Sequence, residues 1–404
     1  MNDVAAALVS VHRSNWSRIV GALIRLTGDW TLAEDATQDA FEGALAHWPL
    51  DGLPENPGAW LMTTARNRAI DRIRSVDADR RRAREVTIMQ SLESGRGGAD
   101  EGNGIEDDRL RLVFTCCHPA LPMPARVALT LRTVSGLSVE SIAAAFLVPE
   151  ATMAQRLVRA RRKIAEAGIP YRVPPPELLD ERLAGVLAVL YLVFNEGYGA
   201  ASDVGLTASA ISLAQALVEL MPREPSARGL LALMLLQNSR RDARVGASGE
   251  LFTLEEQDRA LWHRDEIAAG LAMLASARDR DPYVIQAAIA ACHARAVSAD
   301  ATGWGEIVAL YDELLEFTPS PVVELNRAIA VGMSESPDAG LAILDGLAAR
   351  GLSGYRWLPV AQGDLLRRTG RTADAAARFR EALALTTSAA ERAELERRLA
   401  DLDS

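Results

Sequence analysis

The sequence predicts an all-α protein, and three observations support that fold class. Apolar residues recur at helical spacing along most of the 404 residues. No segment shows the strict alternation of a half-buried strand or the signature of a hairpin. Stretches rich in proline or glycine divide the chain into helical blocks. Aromatic residues make up only 5% of the chain, so its cores must be built mainly from Leu, Ala, Val and Ile.

Charge is distributed unevenly along the chain, whose net charge is −10. Residues 1–175 carry 22 basic and 21 acidic residues, whereas residues 176–404 carry 22 basic and 33 acidic residues. The acidic balance therefore belongs to the second half, and the first half contains two dense arginine clusters. The chain has only 3 cysteines and neither a signal peptide nor a membrane-spanning run, so we expect a soluble cytoplasmic protein.

Composition predicts four segments. Residues 1–85 form a first helical domain, and residues 86–107 form a flexible linker that contains the Gly-rich, acidic run ESGRGGADEGNGIED. Residues 108–172 form a second small helical domain. The prolines within Tyr171–Pro176 mark the next boundary, and residues 173–404 form a long run of Ala- and Leu-rich helices.

The segment Ser138–Lys163 predicts a helix-turn-helix, with Pro149 opening its second helix. An apolar stripe of the second helix consists of Met153, Leu157, Ala160 and Ile164. The other side carries Thr152, Gln155, Arg156, Arg159 and Lys163. Such a helix can pack on its partner and still present Arg and Gln to a major groove, which indicates a DNA-binding protein.

A second basic helix is predicted to begin at Asn56-Pro57, with Asn at the cap and Pro at the first helical position. Its inner stripe is predicted to be Met62, Ala65, Ala69 and Ile73. Its other faces carry Arg66, Asn67, Arg68, Asp71, Arg72 and Arg74. This face is either a solvated helix surface or a surface that follows phosphates and bases. The second interpretation is favoured because another basic helix follows the linker.

Two further patterns indicate protein–protein contacts. The segment LAEDATQDAFEGALAHW has an acidic, polar face beside Phe41, which suits protein docking, although alone it would be an ordinary solvated helix. Towards the C-terminus, the tetratricopeptide (TPR) spacing is matched by Gly363, Leu366, Gly370, Ala375, Phe379 and Ala382. Gly363 and Ala375 would let two helices approach closely, with Phe379 filling the wedge, so we expect a TPR-like domain over residues 173–404.

Three motifs in this order resemble the extracytoplasmic-function (ECF) sigma factors of bacterial RNA polymerase, in the sigma-70 family. AEDATQDAF (Ala33–Phe41) is similar to the region 2 segment that docks on the β′ clamp. PGAWLMTTARNRAIDRIR (Pro57–Arg74) is similar to the helix that melts and reads the −10 element. GLSVESIAAAFLVPEATMAQRLVRAR (Gly136–Arg161) is similar to the region 4 helix-turn-helix that reads the −35 element.

The resemblance implies roles for individual residues. Core polymerase would be bound by Asp35, Gln38, Asp39 and Phe41. The −10 DNA would be bound by Asn56, Trp60, Arg66, Asn67, Asp71, Arg72 and Arg74, with the loop LDGLPENP holding an extruded base. The −35 DNA would be bound by Thr152, Gln155, Arg156, Arg159, Arg161 and Arg162. Among the latter, Gln155, Arg156 and Arg159 would face base edges and the others phosphates.

The C-terminal half resembles the subgroup of these factors that carries a long TPR-like extension. FTCCHPAL (Phe114–Leu121), YLVFNEGYGA (Tyr191–Ala200) and LEEQDRALW (Leu254–Trp262) carry this likeness. It implies that the extension regulates activity in place of a separate anti-sigma factor. The expected partners are the β′ clamp and β flap of core polymerase, promoter DNA and an unidentified protein at the TPR-like domain, with no membrane.

Neither a cofactor, a metal nor catalysis is expected. Zinc at Cys116, Cys117 and His118, completed by Cys292 and His293, is disfavoured because adjacent cysteines diverge on a helix and no CxxC pair exists. The polar residues Glu196, Asp258 and Arg259 suggest a buried ion-pair or helix-joining network, or an interface with the sigma domains, rather than acid–base chemistry, because no nucleophile–base pair accompanies them.

Two other functions remain open at the level of sequence. A helix-turn-helix regulator with a TPR sensor that never joins polymerase would leave Ala33–Phe41 and Pro57–Arg74 unexplained. A TPR scaffold with a vestigial N-terminal half would leave both basic faces unexplained. Within the sigma-factor interpretation, the acidic second half either masks the basic faces or is needed for the active geometry.

Overall fold

The computed structural model describes residues 2–76, 103–146, 148–198, 204–246, 250–386 and 388–402. Within these ranges the regular elements are helices, apart from one isolated antiparallel bridge between Val245 and Leu251. The predicted all-α class is confirmed. The chain divides into two compact units, one of Met1–Gly197 with Asp203–Ala216 and one of Tyr198–Ser202 with Leu217–Ser404.

The first unit contains two helical bundles followed by two further helices. The first bundle consists of α1 (Asn2–Thr27), α2 (Trp30–Asp51) and α3 (Pro57–Val76). The second bundle consists of α4 (Asn103–Cys116), α5 (Met123–Thr133), α6 (Val139–Ala145) and α7 (Glu150–Glu166). The helices that follow are α8 (Pro176–Tyr198) and α9 (Val204–Leu220), the end of which lies in the second unit.

Side-chain caps fix where several of these helices begin. Asp29 Oδ1 accepts hydrogen bonds from the backbone N–H groups of Thr31 at 2.9 Å and Leu32 at 3.0 Å, and so starts α2. Asn56 Oδ1 accepts from Ala59 N at 3.0 Å, which confirms the predicted cap of α3. Ser138 Oγ accepts from Ser141 N at 3.0 Å at the start of α6. Local sequence therefore sets these boundaries.

The domain boundaries differ from the predicted ones in two places. Helix α8 belongs to the first unit rather than to the C-terminal domain, because Arg182 Nη2 donates to Phe114 O at 2.7 Å and Gly185 lies close to Cys117 O. The division between the units therefore falls between residues 197 and 217, not at residue 173. The predicted linker lies outside the described residues up to 102, and residues 103–107 form the start of α4.

The second unit is a succession of short helices, which from Pro282 onwards pack on their neighbours in the chain, whereas Pro225–Asn238 packs on Arg264–Ser276 and Pro282–Arg295. They are α10 (Pro225–Asn238), α11 (Arg241–Arg244), α12 (Arg264–Ser276), α13 (Pro282–Arg295), α14 (Trp304–Phe317), α15 (Pro321–Ser334), α16 (Pro337–Ala349), α17 (Trp357–Arg368), α18 (Thr372–Leu385) and α19 (Ala389–Leu402). Four of them begin with proline, whose missing N–H costs nothing at a helix start.

A close helix contact in this unit confirms the predicted role of Gly363. A Cβ at Gly363 would lie 2.5 Å from Cε1 of Phe379, so only glycine lets α17 approach the ring on α18. Ala375, Phe379 and Ala382 are all fully buried at 0% exposure. The spacing identified in the sequence therefore gives one tightly packed helix pair.

The segment before α12 contacts α17 and the last helix, α19, through a set of ion pairs, which we call the clasp: Glu255 with Arg368 of α17, and Glu256 with Arg397 of α19. Thr253 also donates to Glu256 Oε2 from its backbone N at 2.8 Å and its hydroxyl at 2.7 Å. Burial raises the pKa of Glu256, but the hydrogen bonds from Arg397 and Thr253 outweigh it and hold that pKa at about 2. The clasp thus ties an early loop of the unit to α17 and to its C-terminal helix α19.

No helix in the described part of the chain has both the length and the apolar character needed to cross a membrane.

Replacing Gly363 by Ala should destabilise the second unit by about 1–3 kcal/mol, because the new methyl group overlaps the Phe379 ring. The matched control is Gly346→Ala in α16, where nothing lies within 4 Å of the added Cβ. That change should be neutral or stabilise by about 0.5–1 kcal/mol, because Ala is the better helix former. Urea unfolding followed by circular dichroism measures both. Equal effects at the two glycines would contradict the close contact.

Candidate nucleic-acid interface

Helix α7 has the two-sided character that its sequence predicts. Met153, Leu157, Ala160 and Ile164 are all at most 5% exposed, so the apolar stripe is confirmed as the packed face. The opposite side exposes Thr152, Gln155 and Arg159. Pro149 occupies the N-cap position, one residue before the helix. The exposed hydroxyl, amide and guanidinium groups could reach base edges or phosphates in a groove.

Two of the other predicted residues on α7 are held by neighbours. The guanidinium carbon of Arg156 lies 5.3 Å from the ring centroid of Phe146, a cation–π contact that orients its side chain. Arg162 has a side chain 76% exposed and pairs with Glu166 at 2.6 Å.

Val158, which lies between these two arginines in the chain, is 60% exposed. Sequence analysis overlooked this apolar side chain, which is suited to contact a thymine methyl group.

Arg161 lies in a different environment, because its side chain is only 17% exposed. Its Nη2 donates to Oε2 of Glu34 at 2.6 Å, and the same oxygen accepts from Arg132 Nε at 3.0 Å. The other carboxylate oxygen of Glu34 accepts from the hydroxyl of Thr133 at 3.0 Å. Arg161 is therefore engaged with the first bundle in this arrangement and is not available to a phosphate.

Glu34 is the residue that sequence analysis missed. It lies within the predicted docking motif on α2, yet its side chain is only 3% exposed. The signal was present in the spacing, because Glu34 shares one helix stripe with Thr37 and Phe41, both of which are buried. A carboxylate in an apolar stripe requires cationic or hydrogen-bonding partners. Those partners, Arg132, Thr133 and Arg161, come from the second bundle.

Aromatic packing reinforces this contact between the bundles. Trp16 Nε1 of α1 donates to the backbone oxygen of Thr133 at 3.2 Å. Gly136 has a φ of +71°, and a Cβ there would lie 2.8 Å from Cγ of Trp16. Glycine therefore meets two requirements of the turn after α5, namely its left-handed backbone conformation and the close approach of an indole ring.

A second buried carboxylate, Asp108, bridges the same two bundles. Its side chain is 2% exposed and pairs with Arg25 of α1 at 3.2 Å and with Arg111 of α4 at 3.1 Å. The hydroxyl of Tyr171 lies 3.2 Å from Gly21 O and 3.1 Å from Asp108 O. Burial and the Asp108 carboxylate raise the pKa of Tyr171, so its hydroxyl stays protonated and can donate.

On α3, the predicted DNA-binding residues divide between an exposed face and supporting positions. Asn67, Asp71 and Arg74 are exposed and Arg66 is half-buried, whereas Asn56 is exposed and serves as the helix cap. Trp60 packs edge-on against Trp48 with ring centroids 5.5 Å apart. The inner stripe is Leu61, Ala65 and Ala69, so Leu61 takes the fully buried position predicted for Met62.

Arg72 of α3 does not point freely towards DNA, because it lies between two carboxylates of α2. Its Nη1 is 3.1 Å from Asp35 Oδ2, and its Nη2 is 2.9 Å from Asp39 Oδ2. The structure thereby joins one predicted −10 residue to two predicted polymerase-binding residues. Gln38, which is exposed on the same helix, donates to Glu42 at 3.0 Å.

Phe41 contributes to the core of the first bundle rather than to an exposed face. It is 5% exposed, and its ring centroid lies 4.8 Å from that of His12 and 6.1 Å from that of Trp16. Direct contact of Phe41 with a partner is therefore blocked in this arrangement. In the predicted docking motif, Asp35 and Gln38 are exposed, and Asp39 is half-buried beside them.

A cleft of about 560 Å³ separates the turn between α1 and α2 from helix α7. Its lining residues are Thr27, Gly28, Asp29, Trp30, Thr31, Val158, Arg161, Arg162 and Ala165. One side of the predicted recognition helix therefore faces the first bundle across this cleft.

The cysteines of the second bundle lie within its packing. Cys116 and Cys117 are free and buried, and the Cys117 sulfur lies 3.8 Å from the hydroxyl of Thr130. Burial raises the pKa of Cys117 to about 12, which keeps its thiol protonated. Of the polar residues singled out in the C-terminal half, Asp258 accepts from the backbone N of Ala260, and Arg259 donates to the backbone oxygens of His293 and Ala296 at the end of α13.

Three protein families match successive parts of the chain. The family described as Sigma-70 region 2 matches residues 11–79, which covers most of the first bundle. The family described as Sigma-70, region 4 matches residues 111–164 in the second bundle. A family of unknown function (DUF6596) matches residues 182–278.

Relatives extend the likeness over both parts of the chain. The chain is 45% identical over 403 residues to "Uncharacterized protein R00370" of Rhizobium meliloti, which covers 96% of this chain and 93% of that protein. It is 30% identical over 182 residues to the ECF RNA polymerase sigma factor SigL of Mycobacterium tuberculosis, covering 42% of this chain and 97% of SigL. The probable ECF RNA polymerase sigma factor SigI of M. tuberculosis is 28% identical over 177 residues, covering 44% of this chain and 59% of SigI. No solved structure matches the chain.

Replacing Glu34 by Ala should destabilise the first unit by about 3–5 kcal/mol, because Arg132 and Arg161 would remain buried without their shared anion. The matched control is Asp35→Ala, one residue along α2, which removes a pair whose carboxylate is 51% exposed. Its cost should stay below about 1 kcal/mol. Thermal and urea unfolding provide the comparison, and a Glu34→Ala protein as stable as the control would contradict a buried charge cluster.

Proposed function

Because this chain belongs to the ECF RNA polymerase sigma factors of the sigma-70 family, we propose that it joins core polymerase and directs it to promoters with −35 and −10 elements. The observation that supports this most strongly is the succession of a region 2 bundle and a region 4 helix-turn-helix, each with an exposed polar helix face. The proposed role is binding and strand opening, with no reaction catalysed by the chain itself.

In the proposed complex, α7 enters the major groove at the −35 element. Gln155, Arg156 and Arg159 face base edges, where each good bidentate contact is worth about 1–3 kcal/mol of discrimination. Thr152 and Arg162 contact phosphates, and Arg161 joins them only after it leaves Glu34. The region 4 bundle also docks on the β flap.

The first bundle binds the −10 element and the β′ clamp in this proposal. Asn67 and Asp71 contact unpaired bases, while Arg66 and Arg74 hold phosphates. The loop before Asn56 captures an extruded base, which offsets an unstacking cost of about a few kcal/mol per step. Asp35, Gln38 and Asp39 form the clamp-binding face, and Arg72 sets the position of that face against α3 through its two ion pairs.

Simultaneous binding of both elements requires the two bundles to separate. The elements lie about 25 base pairs apart, or about 85 Å along B-DNA. The longest helix of the first bundle has 26 residues, which is only about 39 Å. That length is less than half of the spacing, which favours separation of the bundles that Glu34 and Asp108 join. The connection between α3 and α4, residues 77–102, is covalently long enough to reach about 85–90 Å if extended.

We therefore propose that the arrangement described above is a resting form, and that opening replaces the Glu34–Arg161 pair by contacts with polymerase and DNA. The cost of exposing this pair is lowered because both groups regain water or a new partner, rather than remaining buried alone. The C-terminal helical domain is proposed to regulate this step, either by holding the closed form or by supporting the open one.

The direct test is transcription in vitro from the DNA upstream of the protein's own gene, with purified protein and core RNA polymerase. We expect a discrete transcript that requires both components. A second arm uses a chain ending at residue 216, the end of the first compact unit. A rise in transcript there indicates a masking C-terminal domain, and a loss indicates a supporting one. If neither protein binds core polymerase, the chain acts as a DNA-binding regulator outside polymerase and the proposal is wrong.

Arg156→Ala should weaken binding to a −35 duplex by about 1–3 kcal/mol while changing the affinity for scrambled DNA much less, because its target is a base edge. The comparison variant is Arg162→Ala, expected to weaken both duplexes alike and to reduce the salt dependence of binding by about one counterion. Fluorescence anisotropy at several salt concentrations measures these effects. Parallel losses for Arg156→Ala on both duplexes would assign it to phosphate contact.

A further inference from the structure

The second unit contains a cavity of about 750 Å³. Its floor includes Thr302, Ala361 and Leu365, which are 7%, 3% and 1% exposed. Its sides include the half-buried apolar residues Trp304 and Ile329. Protein interiors pack densely and rarely leave voids larger than a water molecule. A space of this size, with an apolar floor and a polar rim, has the dimensions of a small-molecule site.

The clasp forms part of the cavity rim, because Glu255, Glu256 and Arg368 line the cavity. Another acidic residue in the lining, Asp364, is also neutralised, since Arg398 Nη1 lies 2.7 Å from its Oδ2. Glu255 and Glu256 are neutralised by the arginines of the clasp. Arg397 and Arg398 also pair with Glu394, and the lining includes a fourth carboxylate, that of Asp401.

The two other arginines of the cavity lining, Arg259 and Arg367, have no carboxylate partner among the described residues. Nη1 of Arg259 donates to the backbone oxygens of His293 and Ala296, each at 2.8 Å. Its other N–H groups have no hydrogen-bond partner among the described residues. Arg367, exposed in the cavity lining, has no ion pair with any described residue. Arg259 and Arg367 thus line the cavity without an ion pair to any described residue.

The region around Arg259 concentrates positive charge in partial burial. Burial and the nearby charges of Arg240 and Arg264 all lower the pKa of Arg259. Burial, Arg240 and Arg259 lower the pKa of His293 to about 4, so its ring is neutral at pH 7. Nδ1 of this ring is buried and has no hydrogen-bond partner in the described part of the chain. Buried polar atoms in proteins normally have a hydrogen-bond partner, so we expect this nitrogen to have one.

Aromatic rings flank the same end of the cavity. The His293 ring packs edge-on to Trp304 with centroids 5.3 Å apart. The guanidinium carbon of Arg259 lies 4.4 Å from the ring centroid of Trp262, which fixes the cation in place. Arg259, His293 and Trp304 all line the cavity. A preformed cation beside aromatic and aliphatic walls suits an anionic group attached to an apolar body.

We propose that this cavity binds a small organic anion, a carboxylate or sulfonate carried on an aromatic or aliphatic skeleton. Arg259 binds the anionic group, and Arg367 adds attraction from the lining. The apolar skeleton lies against Trp304, Ile329 and Leu365. The site lies wholly within the second unit, so the proposal does not depend on how the chain acts in transcription.

The probe for this site is 1-anilinonaphthalene-8-sulfonate, an amphipathic sulfonate whose fluorescence rises in apolar surroundings. It is titrated into the full-length protein beside its uncharged parent, N-phenyl-1-naphthylamine. We expect saturable binding of the sulfonate with one site per chain and affinity at least about tenfold above that of the uncharged probe. Added sodium chloride should weaken only the sulfonate. Equal affinities would overturn the proposal.

Variants locate the site. Arg367→Gln should weaken sulfonate binding severalfold without affecting the fold, because Arg367 is exposed and makes no ion pair. Arg259→Gln should weaken it about tenfold, and Met333→Trp should block both probes by filling the cavity. The matched control is Arg278→Gln, an exposed arginine of the same unit outside the cavity.

Circular dichroism establishes that each variant is folded before titration. Should Arg259→Gln fail to fold, Arg367→Gln and Met333→Trp still decide the outcome. Sulfonate binding that survives both of these changes, or that falls equally in Arg278→Gln, would place the probe elsewhere and contradict the proposed site.

Discussion

The carboxylate of Glu34 is the interaction on which the arrangement of the first unit depends. It is nearly inaccessible to water and accepts from Arg132, Arg161 and Thr133, all from the other bundle. A buried charge of this kind adds little stability compared with apolar packing, but removing one partner is costly. Such a cluster therefore specifies one geometry strongly, and it can be released when each charged group finds a new partner at the same time.

Several residues of the proposed DNA-binding and polymerase-binding surfaces contact each other within the chain. Arg161 belongs to the proposed recognition helix, and Glu34 lies within the motif expected to dock on polymerase. Asp35 and Asp39 hold Arg72, which was expected to bind the −10 element. In the chain alone, residues suited to bind nucleic acid thus form ion pairs with residues of the motif suited to bind polymerase. We propose that polymerase and DNA compete with these internal partners, which would keep the free protein from engaging promoters prematurely.

Local patterns could be predicted from the sequence, whereas contacts between distant segments could not. The stripe of α7, the Asn56 cap and the Gly363–Phe379 contact follow from spacing and residue type within one or two helices. The burial of Phe41 and the pairing of Arg161 depend on which bundle lies opposite, and helical periodicity does not encode that. Likewise, the proline-rich boundary was visible, but α8 packs on the earlier bundle through Arg182, so the compact unit extends past it.

The most direct measurement is to lock the closed form. Thr31 and Ala165 line opposite sides of the cleft between the bundles, and the natural cysteines are buried, so cysteines at these two exposed positions can be joined selectively by a short bismaleimide. Our account predicts that the cross-linked protein supports no transcript with core polymerase, while the same protein capped with a monofunctional maleimide remains active. Full activity of the cross-linked protein would show that the bundles need not separate, and would contradict the account.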